Sequence, residues 1–170
     1  MYSKELLKQI NKTYNPEGKE LIFEFFLLFS RFEYSLKECG YHSGNSKRIG
    51  PNWTAFASSI KNNFDQNSYE KLNISVEKLI NNPPKKQVLL YGIAAFVDRE
   101  NLEKMHIVDK LKLHICDIRN NLFHGGKFDG DYEPEVSRNH ILLKSAIEVL
   151  NYWLTLDERV RNSFSLPIAN

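Results

Sequence analysis

The sequence predicts an all-α fold, a single domain over residues 1–170 built as a bundle of four to six helices. Three observations predict it. Apolar residues recur at helical spacing in several long segments, two-residue alternation is almost absent, and Pro and Gly fall where such helices start or stop. A chain of 170 residues, 42% of them apolar, is long enough for one buried core and too apolar for a disordered segment.

Residues 17–39 form the clearest element. At about 100° per residue, Leu21, Phe25, Phe29, Phe32, Leu36 and Cys39 fall within about 80° of one another, which marks a core face. Phe23, Phe26 and Leu27 lie elsewhere around the axis, so the first half of this helix is apolar on nearly every side. Such a helix is central in its domain or covered by a second chain. Pro16 suits its first turn and Gly40 its end. Residues 41–52, rich in Gly, Ser, Asn and basic side chains, read as a loop. Two shorter helices follow at 53–64 and 68–82, with Ile60, Leu72, Val76, Leu79 and Ile80 as core candidates. Pro83-Pro84 breaks the chain. Residues 85–97 read as another short helix, with Val88-Leu89-Leu90-Tyr91 as a competing strand. Periodicity returns at 101–123, where Ile107, Val108, Leu111, Ile115, Ile118 and Leu122 share a face that Gly125-Gly126 terminates. After an acidic turn at 127–133, Pro134 opens a last long helix carrying Ile141, Leu142, Ala146, Val149, Leu150, Trp153 and Leu154.

Several function classes are excluded. A net charge of +2 does not suit a protein that grips long duplex DNA by phosphate neutralisation, although a local patch can still meet a short RNA segment. The longest nearly apolar run, residues 21–29, contains Glu24 and is far below the roughly twenty residues needed to span a bilayer. Residues 1–12 are charged and lack the apolar stretch of a signal peptide, so a cytoplasmic protein without membrane contact is expected. Cys39 and Cys116 stand alone and suggest neither a disulfide scaffold nor a zinc module. No phosphate loop, His-Glu-x-x-His pair or Gly-x-Ser-x-Gly elbow is present. His106 and His114 are two turns apart and suit metal binding poorly, and Asp129, Asp131, Glu133 and Glu135 lack the remaining ligands of a calcium loop. No metal or other cofactor is expected.

The stretch that carries chemistry is Asp117-Ile118-Arg119-Asn120-Asn121-Leu122-Phe123-His124-Gly125-Gly126-Lys127, at the end of an amphipathic helix. Its Arg119-Asn120…His124 pattern resembles the HEPN superfamily, whose signature is Arg, four to six residues, then His, often with a polar residue after the Arg. The wording Arg-Asn-Asn-Leu-Phe-His-Gly-Gly-Lys is most similar to small plasmid- and phage-defence-associated HEPN proteins. Those also carry an early helix like Phe29-Ser30-Arg31-Phe32-Glu33-Tyr34, ending near a Gly-Tyr such as Gly40-Tyr41. A second match to the spacing, Arg99 to His106, opens a helix instead of closing one and has Glu100 beside the Arg, so it is read as accidental.

The resemblance implies a metal-independent endoribonuclease acting as a toxin or phage-defence effector, with RNA as substrate, a homodimer that builds one composite cleft, and an antitoxin or other regulatory partner. The alternative is a HEPN-like module that binds RNA, a nucleotide or a protein without cleaving. In the catalytic reading, His124 serves as acid or base and Arg119 holds phosphate oxygens, while Asn120 orients the phosphate or the imidazole. Glu33 is a candidate supporting ion partner, or else a surface carboxylate near Lys37. Lys127 is a candidate RNA contact, or else a solvated loop lysine. Arg31 reads as a structural ion pair with Glu24 and Glu38. Some HEPN toxins carry a Tyr two residues after the His, modified by a partner nucleotidyltransferase; Gly126 does not support that mode here. On an ideal helix Arg119 and His124 differ by about 140°, whereas Asn120 and His124 differ by about 40°. Convergence of Arg and His therefore needs an unwound helix end or a second chain.

Overall fold

A computed structural model describes residues 2–13, 15–123 and 133–167. Helix α1 spans Tyr2–Thr13, α2 Pro16–Glu38, α3 Trp53–Ile60 with a 3-10 turn at Lys61–Asn63, α4 Glu70–Asn81, α5 Ile107–Phe123, α6 Glu133–Leu156 and α7 Glu158–Phe164. Two antiparallel hairpins interrupt them, β1 (His42–Asn45) with β2 (Arg48–Pro51) and β3 (Lys86–Leu90) with β4 (Ile93–Val97). The fold is therefore mainly helical but not all-α.

Helix ends follow local chemistry. Asn15 accepts from the Gly18 amide at 2.8 Å and Pro16 occupies the first turn of α2. At the other end Gly40, at φ +86°, lets the Tyr41 amide reach back to the Leu36 carbonyl at 2.8 Å. Asn52 caps α3 through the Ala55 amide, and Asp157 caps α7 through the amides of Arg159 and Val160.

Helix α6 packs on α2 and α4, α3 on α5, and α7 on α2. The buried face of α2 carries Leu21, Phe25, Phe29, Phe32 and Leu36, with Leu28 added and Cys39 at its edge. Ile60, Leu72, Val76 and Leu79 are buried, and Ile80 packs partly against them. A run of rings ties the layers together. Phe29 and Phe32 lie 5.1 and 5.2 Å from Trp53, Phe32 lies 5.3 Å from Phe56, and Phe56 lies 6.0 Å from Trp153. By contrast, Phe23, Phe26 and Leu27 are 62%, 44% and 48% exposed on the outer side of α2.

The hairpins replace segments expected as loop and helix. Residues 85–97 pair in register from Lys86↔Val97 to Leu90↔Ile93. Tyr91 and Gly92 both adopt positive φ, +50° and +80°, the conformation that lets a two-residue turn match strand twist. The competing strand reading of Val88 to Tyr91 is thus the right one over Val88–Leu90. In residues 41–52, Asn45 Oδ1 accepts from the amides of Lys47 and Arg48 and folds the β1–β2 turn. Gly44 sits at φ +139°, where a Cβ would lie 2.0 Å from the Arg48 carbonyl oxygen, so only glycine fits.

Two further expectations are corrected. The helix expected from residue 101 begins at Ile107, because His106 caps it: its Nδ1 accepts from the Val108 amide at 3.2 Å and its carbonyl from Asp109 and Lys110. Arg31 does not pair with Glu24 or Glu38. Its guanidinium donates to the carbonyls of Ser163, Phe164 and Leu166, at and just past the end of α7. Among the described residues no helix is long and apolar enough to cross a membrane.

His114, on α5, is buried, and its Nδ1 has no hydrogen-bond partner among the described residues. Burial first, then the charges of Arg99 and Lys110, push its pKa down to about 4. The unfolded chain binds this proton near the ordinary value of about 6.5, so protonation favours unfolding. Stability should hold above about pH 6.5 and fall as pH drops toward 4. Urea midpoints measured across that window should decline, and His114→Leu should flatten the part of the decline that this residue causes.

Candidate functional site

The site region lies where α5 ends beside α2, α3 and the β3–β4 hairpin. Helix α5 exposes a core stripe of Val108, Leu111, Ile115 and Ile118 to the domain interior. Its remaining surface, turned by the same 3.6-residue period, carries His114, Asp117, Asn120 and Asn121. Asn120 and Asn121 meet the hairpin, and Asp117 meets the chain just past it. Asn121 Nδ2 donates to the Lys85 carbonyl at 2.7 Å, while Asn121 Oδ1 is buried without a partner among the described residues. Arg138 of α6 donates to the Pro83 carbonyl at 2.7 Å. Where the chain leaves β4, Arg99 forms a two-pronged pair with Asp117, through Nε to Oδ2 and through Nη2 to Oδ1 at 2.8 Å. Both ends of the hairpin are thereby pinned to the helices.

Arg119 and Asn120 are adjacent and half-buried. Arg119 Nη1 donates to Asn120 Oδ1 at 3.0 Å, and the guanidinium lies 5.9 Å from the centre of the Phe29 ring. Phe29 in turn packs on Trp53, whose indole Nε1 donates to Glu33 Oε1 at 3.1 Å. Glu33 is therefore half-buried and holds an indole. It forms no ion pair with Lys37, which corrects the surface-carboxylate reading. Glu33 and Arg119 also share a neighbour. The Cys116 thiol is pushed up to about 12, by burial first and then by the Glu33 and Asp117 carboxylates, while Lys112 and Arg119 oppose the rise. Cys39 is raised as well, chiefly by burial, and both cysteines are free thiols.

Comparison with protein families, with curated proteins and with solved structures finds no match. The site must be read from its own geometry.

Of the residues singled out by sequence, Arg119 and Asn120 are brought together, and Glu33 is placed in the same neighbourhood through Phe29, Trp53 and Cys116. His124 and Lys127 lie outside the described residues, as do Gly125, Gly126, Asp129 and Asp131. Among the described residues no three His, Cys, Asp or Glu side chains are grouped to hold a metal ion. The Arg99…His106 match separates into two structural roles, the pair with Asp117 and the cap of α5.

Sequence reasoning missed Lys86, Gln87 and Arg99, which line a cleft of about 270 Å3 with Asp117 and Asn120. It also missed Phe29 as the ring beneath Arg119, with Trp53 packed behind that ring. The spacing of Arg99 and Asp117, 18 residues apart, gave no signal, because the two meet only where the chain turns from the end of β4 into α5, and residues 101–106 of that turn were read as helix. Chemically, the arrangement offers a guanidinium oriented by an amide, next to a cleft with a lysine and a second amide. That is a set of donors suited to an anionic, oxygen-rich ligand.

The Arg99–Asp117 pair carries a testable consequence. The Asp117 side chain is only 5% exposed and that of Arg99 18%. Arg99→Ala would leave a buried carboxylate uncompensated and should cost about 3 kcal/mol. Removing both charges, as Arg99→Leu with Asp117→Leu, should recover much of that loss. Urea denaturation of the two variants checks the order. Equal losses would mean that the pair does not act as a unit.

Proposed function

We propose that the chain is a metal-independent endoribonuclease of HEPN type, acting as a homodimer in the manner of a toxin or phage-defence effector. The observation that supports this reading is the Arg119–Asn120 pair near the end of α5, with its 3.0 Å hydrogen bond and its support on Phe29. In the reaction, a base removes the proton of a ribose 2′-hydroxyl and O2′ attacks the adjacent phosphorus. The P–O5′ bond breaks, an acid protonates O5′, and a 2′,3′-cyclic phosphate remains. His124 is assigned the acid or base role, because imidazole changes charge near working pH. Arg119 is assigned the developing charge on the phosphate oxygens, since its guanidinium stays charged and presents a fork of donors. Asn120 fixes the guanidinium and supplies an amide. Glu33 acts at one remove, holding Trp53 under Phe29, and Lys127 is assigned a phosphate contact.

The test is incubation of the purified protein with mixed RNA in EDTA, followed by analysis of the fragment ends. Cyclic-phosphate ends are expected, with at least a hundredfold loss in both His124→Ala and Arg119→Ala, on the order of what a single acid–base or charge-stabilising group supplies. Absence of cleavage by the native chain, with RNA still bound, would replace the nuclease by the non-catalytic binding module.

The exposed outer side of α2 supports the homodimer. Phe23 and Leu27, one turn apart, present a contiguous apolar strip. Light scattering should give a dimer at micromolar concentration, and Phe23→Glu with Leu27→Glu should give a folded monomer whose cleavage rate falls in parallel. A monomeric native chain would remove the composite cleft.

A further inference from the structure

The β3–β4 hairpin has one covered edge and one open edge. Its β3 strand packs on α5, whereas β4 packs extensively on β3 alone among the described residues. The turn decides which backbone groups of β4 face the open side. Tyr91 and Gly92 form a two-residue turn, so Leu90 and Ile93, the pair that closes it, exchange both of their hydrogen bonds. Bonded pairs then alternate along the ladder, at Leu90↔Ile93, Val88↔Ala95 and Lys86↔Val97. The N–H and C=O groups of Ala94 and Phe96 are left pointing away from β3, and no other described residue bonds to them. Ile93-Ala94-Ala95-Phe96-Val97 carries no charge and no proline, the devices that ordinarily keep such an edge from pairing.

We propose that this edge pairs with itself: the β4 strands of two copies join antiparallel about a two-fold axis at Ala95 and make one four-stranded sheet. Three features commit the edge to a second copy. A two-fold at Ala95 sets Ala94 opposite Phe96 of the partner subunit. These are the residues whose backbone groups are free, so four hydrogen bonds form in register. Side-chain volumes match in the same register. On one face each Phe96 lies beside an alanine; on the other, Ile93 lies beside Val97 of the partner subunit, and the two Ala95 side chains meet at the axis. There is also room at the base of the hairpin. Val97 lines an open cleft of about 450 Å3 with residues 98–100, and antiparallel pairing carries the tip of the second hairpin toward that end. The tip residues Ile93 and Tyr91 are 72% and fully exposed in the single chain. A five-residue strand pairing is much smaller than the roughly 800 Å2 per partner of a stable interface, so the association is weak and grows with concentration. It lies on a different element from the α2 strip, so it adds copies to the dimer proposed above, and it does not depend on the RNA reading.

Sedimentation equilibrium of the full chain from about 5 to about 500 μM tests the pairing. The native chain should gain mass beyond the species present at the low end. Phe23→Glu with Leu27→Glu should pass from monomer to dimer over the same range, which separates this contact from the α2 strip. Ala94→Pro removes an outward N–H and leaves the bonds to β3 intact. Two of the four bonds are then lost, and association should weaken by about tenfold or more. Ala94→Lys, which keeps the N–H and adds a charge at the edge, should weaken it likewise. Leu89→Lys, one strand removed from the edge, should associate like the native chain, which a tip that associates through exposed apolar side chains alone would not allow. In hydrogen exchange the Ala94 and Phe96 amides should slow as concentration rises, more than those of Ile93, Ala95 and Val97. The pairing is overturned by a native chain that gains no mass, by an Ala94→Lys variant that associates as the native chain does, or by a Leu89→Lys variant that does not. Ala94 and Phe96 amides that exchange alike at both ends of the range overturn it as well.

Discussion

The stack of Phe29, Phe32, Trp53, Phe56 and Trp153 determines how α2, α3 and α6 meet, and the placement of Arg119 follows from it. Aromatic pairs at these separations each add about 1 kcal/mol beyond the area they bury. Their greater effect is geometric. A flat ring has few rotamers that fill its slot, so each ring fixes the next, and the last one exposed to α5 is Phe29. The guanidinium of Arg119 rests on that ring and is turned toward Asn120. Glu33 closes the same stack from the side by accepting from the Trp53 indole, which a hydrophobic residue at 33 would leave unsatisfied.

A second constraint holds the hairpin. Backbone carbonyls at 83 and 85 are taken by Arg138 and Asn121, and the chain leaves β4 through Arg99 bound to buried Asp117. Two short strands alone are marginal in water. Here side chains from two helices anchor the base, so the tip, with Leu89, Tyr91 and Ile93 largely exposed, contributes little to holding it in place. The same anchoring sets Lys86 and Gln87 beside Asn120 and makes one surface out of two distant parts of the sequence.

Much of the helical frame was legible because it is periodic. The stripes of α2 and α5 follow the 3.6-residue repeat, and most of the expected residues are buried, with Cys39, Ile107 and Leu122 partly so and Leu28 added. The hairpins were not legible for opposite reasons. In β3–β4 the turn is Tyr91-Gly92, and a tyrosine at positive φ carries none of the Asn-Gly signal that marks such turns. In β1–β2 the strands are four residues long and largely exposed, so no alternation of burial reaches the sequence. At the site, Arg119 and Asn120 are neighbours in the chain and could be read together. Arg99 with Asp117, and Glu33 with Trp53, are joined only through the folded backbone, so neither pairing is visible in the sequence. Arg31 misled because its partners are carbonyls at the end of another helix, which no side-chain pattern records.

The Arg31 contact also bears on the order in which the protein can be completed during synthesis. Its acceptors lie 132 to 135 positions downstream, and the rings of α2 reach Trp153 only through α3. At a translation rate of about 5–20 residues per second, α2 emerges on the order of ten seconds before the elements that cover it. During that interval α3 is already made and its Trp53 and Phe56 can meet Phe29 and Phe32, but the side of α2 that α6 and α7 cover is still bare. A ribosome stalled late in the message therefore leaves the α6- and α7-facing side of α2 uncovered.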